Sequence, residues 1–131
     1  ECPRHSGVAL ELIYRRGTLL VPSGPDKHLF IVCNDTCQHG LNLLVNISSF
    51  YDGCDQTCLL DVGDHPFVKH LSYVFYAQAK ISKADRIQRG FDNNVLIRQP
   101  DMAIEVFNRV ESGITASSDT PGNVLKYFRQ L

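Results

Sequence analysis

HLFIVCND (residues 28–35), LNLLVNISS (41–49) and TCLLDVGDHPFVKHLSYVFYAQAKI (57–81) decide how this chain folds. Residues 28–33 are almost continuously apolar, the pattern of a strand buried on both faces. Residues 41–47 predict a second strand, with Asn46, Ser48 and Ser49 at its exit. Residues 57–62 predict a third, broken by Gly63-Asp64, and the His65-Pro66 bond disfavours helix at His65. Residues 72–77 have the aromatic and β-branched content of a fourth strand that continues towards Ile81. Alternation along it puts Tyr73 and Phe75 on one side and Tyr76 on the other. Short strands at this spacing, with no long helices between them, predict a small β-barrel.

Upstream, residues 1–7 read as a lead-in and 8–14 as a strand or short helix. Arg15-Arg16-Gly17 is a turn, and 18–21 form a short β-rich run that ends at Pro22. Residues 23–26 then form a breaker-rich loop. After residue 81 the apolar period changes. Ser82 and Asp85 are spaced as a capping box for a helix over 83–89, with Gly90 as its stop. Pro100 suits the first turn of a helix in which Ala103, Phe107 and Val110 share a face and Gly113 ends it. Thr120-Pro121 opens a last helix with Val124, Leu125 and Phe128 on its apolar side. The predicted class is α+β, one domain over 1–131. Its barrel covers about 8–81 and its helical part about 82–131.

A chain of 131 residues, 44% apolar and 21% charged, sustains an ordinary globular core. Its net charge of -1 projects no global positive field, so any nucleic-acid surface must be a local patch. No apolar run reaches the roughly 20 residues of a membrane span. Residues 8–10 are cut off by Glu11 and followed by Arg15-Arg16, which does not read as a secretory leader. Five cysteines fit a complete disulfide framework poorly, and reduced thiols in a cytoplasmic protein are the simpler reading.

Cys33, Cys37, Cys54 and Cys58 stand in pairs beside predicted turns, the arrangement that lets thiolates hold a structural zinc. Cys33 and Cys58 also sit inside apolar runs, where cysteine acts as a small buried hydrophobe, and that reading is preferred; no cofactor is expected. Asp64-His65-Pro66-Phe67-Val68-Lys69-His70 gathers an acid, two imidazoles and an amine. Imidazoles are the usual proton carriers in phosphodiester cleavage, and a lysine steadies the charge that builds on phosphorus. The plainer alternative is a turn followed by an extended connection. Ser48-Ser49 can hydrogen-bond a phosphate or finish a turn. Lys80, Lys83, Arg86, Arg89 and Arg98 form the one basic concentration, fit to track a backbone or simply to face solvent.

The order Gly17-Thr18-Leu19-Leu20-Val21, HLFIVCND, LNLLVNISS and then VKHLSYV (68–74) resembles the PemK/MazF-like bacterial toxins, over roughly residues 17–81. The resemblance implies an SH3-like barrel and a metal-independent endoribonuclease that cuts single-stranded mRNA. It also implies an antitoxin partner and a homodimer. Ser48-Ser49 matches the family's hydroxyl pair, Lys80 stands near its arginine, and Ser82 occupies the place of the acid that follows. Arg16-Gly17-Thr18 keeps the arginine and glycine of an early loop and lacks its acid. On this reading His65, His70 and Lys80 are the catalytic candidates. Ser48, Ser49, Arg16, Lys69, Lys83 and Arg86 contact RNA. The rival reading is a non-catalytic barrel that binds a protein partner, with zinc as a variant of it.

Overall fold

The computed structural model describes residues 13–23 and 25–131; the first predicted strand therefore lies mostly outside the described residues. Three strands build the centre of an antiparallel sheet, β1 (Thr18–Ser23), β2 (Asp26–Val32) and β3 (Leu41–Ser49), and β4 (Leu59–Leu60) stands at one edge. Then come β5 (Ser72–Val74), β6 (Lys80–Lys83), helix α1 (Ala84–Asp92) and β7 (Ile97–Gln99). Helices α2 (Ile104–Ala116) and α3 (Gly122–Phe128) complete the chain. The strand order is β4-β5-β3-β2-β1-β7, with β6 also paired to β3.

The apolar runs that looked buried on both faces owe this to helices on both sides. Leu29, Ile31, Leu43, Val45 and Ile47 point into the main core with Met102, Phe107, Val110, Ile114 and Val124 from the α2–α3 side. Their alternating neighbours Leu19, Val32 and Leu44 pack on Ile87 and Phe91 of α1. The class is therefore mixed α and β. The predicted closed barrel is instead an open seven-stranded sheet, because β4 and β7 stand at opposite ends of the order and do not meet. These edge strands are only two and three residues long, so little unpaired backbone is left exposed without closure.

Several element ends differ from expectation for local reasons. β1 runs through Pro22, because Ser23 and Asp26 close a tight hairpin. β3 extends to Ser49, which places Ser48 and Ser49 opposite Tyr73 and Ser72 rather than in a turn. The third predicted strand shrinks to Leu59–Leu60. The fourth is interrupted by a 3-10 turn, Tyr76–Gln78, before it resumes as β6. That turn drives Tyr76 into the core, where its hydroxyl donates to the Val110 carbonyl at 2.6 Å. Gly113 does not end α2 but lies inside it, because any Cβ there would collide with the Tyr76 ring and hydroxyl. Gly90 likewise sits within α1, packed under Leu96. The Ser82–Asp85 capping box does not form, since Ser82 belongs to β6. Among the described residues no helix is long and apolar enough to cross a membrane.

Candidate functional site

β3 outruns its pairing with β2, and a cleft opens where that pairing ends. Phe30, Ile31 and Val32 pair with Asn46, Val45 and Leu44. Beyond Asn46 the β2 side of β3 has no strand partner among the described residues, while its other edge pairs with β5, from Ile47 opposite Val74 to Ser49 opposite Ser72. The start of β2 stays with β1. The two strands splay, leaving a cleft of about 280 Å³. Asp26, Lys27 and His28 enter it from β2, Ser48 and Ser49 from β3, and Lys69 and His70 from the loop before β5.

Ser49 Oγ and His70 Nε2 lie 2.8 Å apart at the exposed mouth of this cleft. Among the described residues no carboxylate orients the other ring nitrogen of His70, so the pair is not a nucleophile triad. It is an accessible imidazole beside a hydroxyl, flanked by two ammonium groups and a second imidazole. Such a set can hold a phosphate and carry protons to and from it.

The loop that carries Lys69 and His70 is held from behind. Arg109 of α2 meets Asp64 at 3.1 Å and donates to the Leu59 carbonyl at 3.0 Å. Gly63 adopts a φ of 101°, a left-handed turn conformation that suits glycine. His65 is buried and outside the cleft. Its Nδ1 accepts the Phe67 amide at 3.0 Å, so Nε2 carries the ring proton. That nitrogen faces the Pro100 carbonyl at 2.7 Å and the Thr18 hydroxyl at 3.0 Å. Expected as a proton carrier beside His70, His65 is placed instead as the anchor of the loop.

The remaining predicted residues do not converge here. Lys80 Nζ sits 4.9 Å from the Phe30 ring centroid and, with Arg86, lines a different cleft between α1 and the sheet. Lys83 is exposed at the end of β6. Arg16 has a φ of 80° and donates to the Met102 carbonyl at 2.9 Å, bracing the approach to α2. Cys33 and Cys58 belong to the main core. Burial pushes the Cys33 thiol up to about 12 and raises that of Cys58. Among the described residues no three potential metal ligands gather, so the predicted cysteine pairs do not assemble a zinc site.

Sequence reasoning gives Asp26, Lys27 and His28 no part in the site: Asp26 reads as loop, and His28 as the first residue of a buried strand. The available signal was the hairpin: extending strand pairing back to Ser23 opposite Asp26 adds Asp26 and Lys27 to the strand expected from His28 onward. No protein-family model and no curated protein matches this chain.

Proposed function

We propose that the cleft binds the phosphate backbone of single-stranded RNA and cleaves it as a PemK/MazF-like endoribonuclease, without a metal. The observation that carries this reading is the Ser49–His70 pair, in a cleft that Lys27, His28 and Lys69 also line. His70 and His28 supply the two proton transfers that transesterification needs. One removes the proton of the ribose 2′-hydroxyl as that oxygen attacks phosphorus. The other protonates the departing 5′-oxygen as the P–O5′ bond breaks, leaving a cyclic 2′,3′-phosphate and a 5′-hydroxyl. Lys27 and Lys69 steady the charge on the phosphoryl oxygens, and Ser49 holds the His70 ring in place. On this reading the end-to-end run of β5, the 3-10 turn and β6 along β3 belongs to an SH3-like barrel opened at its seam.

A second reading has its own observation. The cleft lined by Leu19, Leu44, Ile87 and Leu96 adjoins exposed Val95 and Ile97, an apolar surface suited to a protein partner. An antitoxin, another protein or a second copy of the chain would fit there.

Cleavage of mixed single-stranded RNA by the purified protein in EDTA tests the first reading. Discrete fragments ending in cyclic phosphate are expected. His70→Ala should reduce their rate about 100-fold or more with no fall in Tm, because His70 is exposed. Intact RNA at high protein concentration, or His70→Ala cutting at the normal rate, would sink it.

A further inference from the structure

A second cleft of about 290 Å³, lined by no residue of α1, adjoins the first. Asn46 stands at its centre, with Phe30 opposite it on β2. Phe75 flanks it on the other side, its amide donating to the Asn46 carbonyl at 2.8 Å. Neighbouring strands lie about 4.8 Å apart, so these two rings are rooted roughly 9.6 Å apart. That leaves room for one planar ring between them. The Lys80 ammonium, 4.9 Å from the Phe30 centroid, holds that ring in position. Phe75 is held in turn by Tyr73, at 5.3 Å between centroids.

The floor of this cleft contains an unmet hydrogen-bonding group. Asn46 is 3% exposed; its Nδ2 donates to Gln78 Oε1 at 3.2 Å, and its Oδ1 has no partner. Buried polar atoms without partners are rare in folded proteins and call for a reason. Gln78 is exposed and closes over Asn46 from the solvent side. A flat ring that displaced Gln78 would find an acceptor and a donor side by side on the Asn46 amide. That is the pattern with which an asparagine reads the edge of a nucleobase.

We propose that this second cleft seats one nucleobase between Phe30 and Phe75, with Asn46 as the specificity-determining residue. The inference rests on the RNA reading of the neighbouring cleft. His28 and Ser48 line both clefts, so the phosphate site and the base seat are within reach of a single nucleotide.

Two measurements on the full chain separate this inference from the nuclease reading. In the first, fragment ends from random single-stranded RNA are sequenced. One base should dominate at a fixed position from the cut, and Asn46→Leu should lower that preference about ten-fold while cleavage persists. In the second, a short RNA and a matched strand with one abasic site are titrated by fluorescence polarisation. The intact strand should bind about ten-fold tighter to the native protein, and Phe75→Ala should erase the difference. If RNA is never cut but the intact strand still outbinds the abasic one through Phe75, the base seat stands and the nuclease reading fails. If RNA is cut with no base preference and both strands bind alike, the base seat is overturned and the nuclease stands.

Discussion

Two cysteines of this protein carry the same thiol in opposite settings. The Tyr127 hydroxyl beside Cys37 holds its thiol below the ordinary value, and the residue is only partly covered. Burial pushes the Cys33 thiol up to about 12. The thiolate is the reactive form, so the two should part company in alkylation. Iodoacetamide near pH 7.5, followed by peptide mass spectrometry, should label Cys37 first among Cys33, Cys37, Cys54 and Cys58. Tyr127→Phe should slow that labelling several-fold; equal rates at Cys33 and Cys37 would contradict the assignment. The sequence displayed the thiols but not this difference, because Tyr127 is brought to Cys37 by α3, from the far end of the chain. His65 and His28 make the same point. The heptapeptide with two histidines drew attention to His65, yet its ring is used up by Phe67, Pro100 and Thr18. His28 reaches the cleft because of where β2 pairs, which composition does not reveal.

Elements are fixed to one another at contacts that single substitutions can probe. Gly113 lets α2 pass over Tyr76, whose hydroxyl is tied to the Val110 carbonyl. Gly113→Ala places a methyl group where the Tyr76 ring already is. Overpacking of this kind costs about 2–3 kcal/mol, and the expected fall in Tm is roughly 5–10 °C. A Tm unchanged by this substitution would mean that α2 does not lie so close to the 3-10 turn. A second tie joins the loop after β3 to the end of α2, where Asp55 accepts the Ser117 hydroxyl at 2.6 Å and the Thr57 hydroxyl at 2.6 Å. Burial alone would raise the Asp55 carboxyl, but these donors together bring it below its ordinary value. A depressed carboxyl stabilises the fold above its unfolded pKa, about 3.9, and that contribution is lost as pH falls through the folded value. Asp55→Asn should therefore melt lower than the native protein at pH 7, and the gap should close below about pH 3.9. A gap that stayed constant down to pH 2 would rule out Asp55 ionisation as its source. Helices and strands were largely legible from period, because Phe107, Val110 and Val124 mark their own buried faces. Helix ends were not, because Gly90 and Gly113 serve close packing against Leu96 and Tyr76, and packing partners lie outside any local window.

At the scale of the whole molecule, the balance of charge limits how the proposed RNA ligand can be held. A net charge of -1 offers no long-range attraction, and Asp26 stands in the cleft beside Lys27. Under the proposed function, binding comes from the local pair Lys27 and Lys69 together with base contacts in the second cleft. The open sheet makes this arrangement workable: α1 packs on Leu19, Val32 and Leu44 with Phe30 at the margin of that cluster, and no residue of α1 lines the cleft of Phe30, Asn46, Ser48 and Phe75. Each phosphate neutralised on a single strand contributes a slope of about -0.7 to log K against log salt. Two lysines thus give an expected slope of roughly -1.4, far shallower than that of a strongly basic binder. Lys69→Ala should reduce it to about -0.7, whereas Lys83→Ala, at the far end of β6, should leave it unchanged. Titrations of a short single-stranded RNA between low and moderate salt measure this directly. A steep slope that Lys83→Ala or Arg86→Ala diminished would move the RNA track from the splayed strands to the α1 side, and with it the site of any chemistry.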